Sequence, residues 1–223
     1  MFNIAIDGPG GAGKSTVAKA VAKKLSIIYV DTGALYRAIG VYALKNGIET
    51  TDRQGISAIL KNISVELKFK NGTQSVLVNT EDVSNEIRTP EASMAASNVS
   101  AIPEVRDFLF ETQRTIAREN NVIMDGRDIG TVVLPDAEVK IFLTASLEAR
   151  AKRRFHELCA KGIEADYNQV LRELKIRDYN DSHREIAPLR PAEDAIILDT
   201  SEMTLDEEIA AVVEIIKNKL ARS

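Results

Sequence analysis

The chain has 223 residues, 44% hydrophobic and 28% charged, which suits one substantial domain, or one domain with a small insert, and a core of its own. Its formal net charge of -4 leaves no global basic field for nucleic acid or anionic lipid, so phosphate chemistry must rest on locally gathered Arg and Lys. With one cysteine, Cys159, an internal disulfide and a Cys-based zinc site are both excluded.

Taken in chain order, Phe2 to Ile6 is a short apolar run broken by Asp7-Gly8-Pro9-Gly10-Gly11, which predicts a buried strand and a tight turn. From Lys14 the period changes: Val17, Ala18, Val21, Ala22 and Leu25 mark one helical face. Ile27 to Val30 predicts a second strand, and Asp31-Thr32-Gly33 introduces a helix over Ala34–Leu44. This alternation argues for an α/β fold with a mostly parallel sheet covered on both faces. Ile63, Val65, Leu67 and Phe69 then alternate with polar residues, Asn71-Gly72 follows, and Val76 and Val78 resume the alternation. That pattern predicts a small antiparallel hairpin ending near Glu81-Asp82-Val83.

Residues 84–100, rich in Ser, Ala and Asn, read as short helices or loops leading to a helix near Glu104–Arg118. Further strands are expected at Val122–Met124, Val139–Leu143 and Ala195–Leu198. Helices are expected at Leu147–Leu158, around Tyr167–Leu174 with residues 175–185 continuing or interrupting it, and from Leu205 to Leu220. The division expected is a core over 1–60, an inserted region over 61–100, and a second core part over 101–223. Cys159, between Leu158 and Ala160, reads as a small buried hydrophobe. His156 and His183 have no partner at zinc spacing, and the acidic group Glu202, Asp206, Glu207 and Glu208 is explained by the dipole of the closing helix. The opening MFNIAIDGPGG lacks the order of a secretory signal, and no stretch reaches the ~18 apolar residues of a membrane span. A cytoplasmic protein without membrane or nucleic-acid partners is the expectation.

The sharpest motif is GPGGAGKS, that is Gly8, Pro9, Gly10, Gly11, Ala12, Gly13, Lys14 and Ser15, with Thr16 next on the helix. A glycine-rich turn between an apolar strand and an amphipathic helix lets successive backbone N–H groups face one anion, aided by the helix N-terminus. Lys14 can bridge the β- and γ-phosphates of ATP, and the Ser15 hydroxyl can sit on Mg²⁺. The Asn-Lys-x-Asp of a guanine-reading GTPase is missing, and a motor or transporter ATPase needs more chain. A small kinase uses the same cradle with a second pocket for its acceptor. Arg37, Arg106, Arg127, Arg153, Arg154, Arg177 and Arg184 offer planar, permanently charged groups for phosphate oxygens. Asp125-Gly126-Arg127-Asp128 ends a strand on the side where open α/β sheets bind ligands. Arg150, Lys152, Arg153 and Arg154 form either ordinary surface charge or a flap that closes over ATP and excludes water.

IDGPGGAGKS, DTGALYR at 31–37, EDVSNEIRTPE at 81–91, AASNVSAIPEVR at 95–106, MDGRDIGTVVLPDAEVKIFLTAS at 124–146 and RDYNDSHREIAPLRPAEDAIILDT at 177–200 together resemble the bacterial cytidylate kinases over essentially the whole chain. The resemblance implies a P-loop NTPase-type core of five parallel strands, an enlarged monophosphate-binding region and a short lid, here near 150–166. It also implies a monomer that moves the γ-phosphoryl of ATP to CMP or dCMP with Mg²⁺. It places Thr32 and Tyr36 near the nucleotide, Arg37 on the acceptor phosphate, and Ser97 and Arg106 at the cytosine. Arg127 with Asp128, and Arg177 with Asp181, fall on phosphate and sugar; Arg184 is a further substrate-side residue, and Arg153 and Arg154 match the lid arginines. Lys14, Arg127, Arg153 and Arg154 are thereby the catalytic candidates. The residues alone leave UMP, another small acceptor, or a nucleotide-binding regulator without turnover as alternatives.

Overall fold

The computed structural model describes residues 1–70 and 72–221, so Asn71 of the expected Asn71-Gly72 turn lies outside the described residues. The strands are β1 (Asn3–Asp7), β2 (Ile28–Asp31), β3 (Val65–Lys70), β4 (Thr73–Val78), β5 (Glu81–Asp82), β6 (Val122–Gly126), β7 (Val139–Thr144) and β8 (Ile196–Asp199). The helices are α1 (Lys14–Leu25), α2 (Gly33–Lys45), α3 (Arg53–Leu60), α4 (Pro90–Val99), α5 (Pro103–Glu119), α6 (Leu147–Ala160), α7 (Tyr167–His183) and α8 (Leu205–Leu220). Five strands form a sheet in the order β2-β6-β1-β7-β8. Parallel register pairs Ile4 with Val139, Ile6 with Ile141, and Ile141 with Ile196. The central position of β1 leaves Ile4, Ala5 and Ile6 without exposed surface, which is why its apolar run does not alternate.

The chain divides into two compact units, one of residue 1 with 28–122 and one of residues 2–27 with 123–223. The expected insert at 61–100 falls within the first. That unit packs Leu35 and Ile39 of α2 with Ile56, Ile87, Val99 and Leu109 in one core. Its small sheet has three strands, β3-β4-β5, one more than a hairpin. The third is polar and pairs Glu81 and Asp82 with Val78 and Leu77. Helix α3, which the pattern did not announce, begins where Asp52 accepts a hydrogen bond from the Gln54 N–H.

In the second unit α7 runs through to His183 without the possible break. A single π-helical turn, Ile129–Val133, follows β6. Thr204 and Glu207 form a reciprocal capping box at the start of α8. One reading is corrected: Cys159 is exposed. On α6 the inward face belongs to Ala151 and Leu158, and the next residue is turned ~100° away from Leu158.

Candidate active site

The turn after β1 opens at a position that only glycine can fill. At Gly8 a Cβ would stand 2.0 Å from the Leu143 carbonyl oxygen of β7, so the loop is pressed against the neighbouring strand. Gly13 takes φ 89°, a left-handed N-cap that swings the chain into α1. Lys14, on the first turn of α1, is buried, and its Nζ donates to the Pro9 carbonyl at 2.8 Å. Burial lowers the Lys14 pKa well below its ordinary value, and the charges of Arg127 and Arg177 press in the same direction. The Ser15 hydroxyl donates to Asp125 Oδ2 of β6 at 2.7 Å. Thr16 is exposed on the same turn.

Around this loop the second unit gathers guanidinium groups on a few carboxylates. Arg127 Nε donates to Asp181 Oδ2 at 2.9 Å, Arg177 Nε lies 4.0 Å from the same oxygen, and Arg184 approaches Asp128 Oδ1 at 3.4 Å. Burial raises the Asp181 pKa, but Arg127, Arg177 and Arg184 outweigh it and hold the carboxyl below its usual range. Three guanidinium groups against Asp128 and Asp181 leave an excess of positive charge, while Lys14 beside them faces Asp125 and Asp7. Such a group suits a polyanion.

The two expected lid arginines differ. Arg153 is paired with the buried Glu208 of α8 at 2.8 Å and donates to Thr200 Oγ1 at 3.1 Å and to the Ala12 carbonyl of the loop at 3.4 Å. Arg154 pairs with Glu157 one turn along α6 and is not brought to the loop by any of those bonds. Glu208 therefore does more than match the dipole of α8: burial pushes its carboxyl up in pKa against the pull of Arg153.

Asp7, at the end of β1, accepts hydrogen bonds from the Ile129 and Gly130 amides at 2.8 and 2.7 Å and so anchors the π-helical turn. Burial outweighs those bonds and raises its pKa from 3.8 to about 6. The folded chain thus binds this proton more tightly than the unfolded chain. The resulting stabilisation is full below pH 3.8 and disappears as pH rises through about 6. In denaturant titrations, the stability of the wild type relative to Asp7→Asn is expected to fall by about 2 kcal/mol between pH 4.5 and 7. Parallel pH curves for the two proteins would refute the assignment.

The first unit holds the other set. Arg37 NH2 is 2.7 Å from Asp31 Oδ2, and the other Asp31 oxygen accepts from the Ala34 N–H at 3.0 Å, so Asp31 aims Arg37 along the start of α2. Thr32 is the buried N-cap residue of α2. Tyr36, Ser97 and Arg106, from α2, α4 and α5, come together: the Arg106 guanidinium carbon lies 5.7 Å from the Tyr36 ring centre. Its NH1 donates at 3.3 Å to the Ser100 carbonyl, while the Ser100 hydroxyl donates at 2.9 Å to the Ser97 carbonyl. All three side chains are buried. Asp31, Asp125 and Glu208 were absent from the site expected from sequence, although Asp31 and Asp125 stand in the quoted motifs at strand ends.

A family model described as cytidylate kinase matches residues 4–218. A cytidylate kinase of Caldicellulosiruptor saccharolyticus is 55% identical over 214 residues, covering 96% of this chain and 95% of that protein. A cytidylate kinase of Carboxydothermus hydrogenoformans is 53% identical over 218 residues, covering 98% of each. Among solved structures, a gluconokinase of Sinorhizobium meliloti aligns with a TM-score of 0.50 at 14% identity, over 100% of this chain and 97% of that one, a likeness of fold alone. The extent of the model match and the near-full-length identity place this chain in the cytidylate kinase family.

Proposed function

We propose that this chain catalyses its family's reaction, transfer of the γ-phosphoryl of ATP to CMP or dCMP, giving ADP and CDP or dCDP. The observation that carries the reading is the glycine-rich turn of residues 8–13 opening α1 with Lys14 buried beside Arg127 and Arg177. A polyphosphate there returns the Lys14 pKa upward and keeps its ammonium charged. An acceptor phosphate oxygen attacks the γ-phosphorus in line as the bond to the β-bridging oxygen breaks, and the electron pair leaves with ADP. The attacking oxygen is already an anion, so no general base is needed. Asp128 and Asp181 instead orient Arg184, Arg127 and Arg177, whose charges offset those of the two anions.

Ser15 Oγ and Asp125 Oδ2, 2.7 Å apart, form a hard oxygen pair of the kind that holds Mg²⁺, an ion that retains several waters. When bound there, Mg²⁺ neutralises charge on the β- and γ-phosphates.

In the first unit Arg37 takes the acceptor phosphate, with Thr32 beside the nucleotide, and Ser97, Arg106 and Tyr36 read the base. Cytosine offers an exocyclic amine and a ring-nitrogen acceptor where uracil offers a carbonyl and a ring N–H, so the Ser97 hydroxyl and the Arg106 guanidinium discriminate between them by leaving the wrong base mispaired. Arg153 and Arg154, with the helix that bears them, form the lid side of the donor site. No helix among the described residues is long and apolar enough to cross a membrane; a cytoplasmic monomer acting on small molecules completes the proposal.

A coupled assay with CMP, dCMP, UMP, AMP and water as acceptors tests it. Preferred use of CMP and dCMP is expected. Preference for UMP, or binding without turnover, would replace the proposal with one of its alternatives. In the same assay Arg106→Ala is expected to raise KM for CMP by roughly 5- to 150-fold, the equivalent of 1–3 kcal/mol for a lost buried contact, with KM for ATP nearly constant. Unchanged CMP selectivity would remove Arg106 from the base-reading group.

A further inference from the structure

One face of α7 bears Leu174, Arg177, Asp178 and Asp181, spaced i, i+3, i+4 and i+7. It lies against the glycine loop. Leu174 Cδ2 is 3.4 Å from the place a Cβ on Gly10 would take, Arg177 NH1 is 3.5 Å from that place, and Leu174 Cδ1 is 3.6 Å from the corresponding place on Gly11. Asp181 holds Arg127. Asp178 holds something else. Its two oxygens accept both terminal nitrogens of Arg150, at 2.6 and 3.1 Å. Arg150 is a buried side chain of α6 that also donates from NH1 to the Gly10 carbonyl at 3.0 Å and from Nε to the Ala145 carbonyl at 2.9 Å.

The bond to Gly10 has a consequence for the loop. The peptide joining Gly10 to Gly11 is planar and trans, so its carbonyl and N–H point in opposite directions. A peptide between two glycines rotates cheaply, because neither residue has a Cβ to resist it. Arg150 pins the carbonyl and thereby aims the Gly11 N–H away from itself. The Nε bond to Ala145 sets one edge of the planar guanidinium, and the bidentate grip of Asp178 on its two terminal nitrogens sets the other, which keeps NH1 on the Gly10 carbonyl.

We infer that Asp178 is a positioning residue which, acting only through Arg150, fixes the Gly10–Gly11 peptide and so sets the donor loop's affinity for ATP. The same helix face that orders Arg127 through Asp181 thus also orders the phosphate loop. The inference rests on the reading of residues 8–15 as the ATP cradle.

The test compares wild type with Asp178→Asn, Arg150→Lys, Arg150→Ala and Arg150→Ala/Asp178→Asn. Calorimetric binding of ATP and of CMP is measured separately, together with melting temperature and steady-state turnover. Asp178→Asn keeps the shape but loses the charge; it is expected to weaken ATP binding about five- to tenfold while CMP binding changes less than about twofold. Arg150→Lys, a point charge that cannot hold Asp178 and Gly10 together, should resemble Asp178→Asn rather than wild type. In the Arg150→Ala background Asp178→Asn should add almost nothing, since its route to the loop is gone. The inference is overturned if Asp178→Asn leaves ATP affinity intact, if it weakens ATP and CMP alike in step with a lower melting temperature, or if the two substitutions multiply. Failure of the underlying reading looks different: wild type itself would then neither bind ATP nor phosphorylate any acceptor in the panel.

Discussion

Replacing Lys14 by alanine is expected to lower kcat by about 10²–10³, the usual effect of removing one preorganised group that meets charge developing in the transition state, while the fold survives. The reason lies in what Lys14 does without substrate. It is 5% exposed, and burial together with Arg127 and Arg177 disfavours its charge, so the ammonium is an electrostatic burden on the folded chain. Its compensation is the hydrogen bond to the Pro9 carbonyl, the attraction of Asp125 and Asp7 and the packing of its stem. Alanine removes burden and compensation together. The melting temperature should therefore move by less than about 4 °C, corresponding to roughly 1 kcal/mol in a chain of this size. A variant that retained kcat within about tenfold, or that lost activity only because it was unfolded at the assay temperature, would deprive Lys14 of its role. The comparison is informative because a lysine kept for structure should behave in the opposite way.

Much of this arrangement was legible in the sequence, and what was hidden has identifiable causes. The strand-turn-helix of residues 3–25 is a local object: apolar run, glycines and helical period lie side by side, so strand, loop and α1 are found where the pattern put them. The alternation at 63–78 likewise revealed β3 and β4. The two-residue β5 escaped because Glu81 and Asp82 are both exposed, and a strand with no buried face has no alternation to show. Helix α3 was masked by Gly55 within eight residues, since glycine weakens a helical pattern that Asp52 and the buried Ile56 and Leu60 restore.

The site was less legible because its connections are long-range. Ser15 meets Asp125 across 110 residues, and Asp7 holds amides 122 and 123 residues away. Asp7 and Asp125 are polar residues at the ends of buried strands, which marks them as unusual without naming their partners. Arg153 and Arg154 are adjacent in sequence and alike in chemistry. The helix turns one onto Glu208 and the loop and leaves the other on its own surface, a distinction that only the packing of α6 decides. Asp178 and Asp181 sit in one motif yet serve different arginines, since three residues along a helix shift the direction of a side chain by about 60°.

Those guanidinium groups make Asp181 the residue whose loss should do the most structural damage. It is 3% exposed, accepts Arg127 Nε at 2.9 Å and faces Arg177 at 4.0 Å, and Arg184 adds to the field that holds its pKa down. Asp181→Ala leaves those cations facing one another in a partly desolvated site. The expected loss is about 3–5 kcal/mol, as for other buried pairs deprived of one partner, equivalent to a drop in melting temperature of roughly 6–20 °C. Turnover should fall as well, because Arg127 loses the contact that orients it. The sign with pH follows from the depressed pKa: the stabilisation is present above the ordinary carboxylate range and is lost as pH falls through the folded value. The gap between wild type and Asp181→Asn should accordingly be widest near neutrality and close in acid. A polyphosphate supplies the missing negative charge, so tripolyphosphate at a fixed concentration should raise the melting temperature of Asp181→Ala more than that of wild type. If the anion stabilised both proteins equally, these arginines would not form one shared phosphate-facing group, and the charge argument for the donor and acceptor phosphates would have to be rebuilt from Lys14 and the loop amides alone.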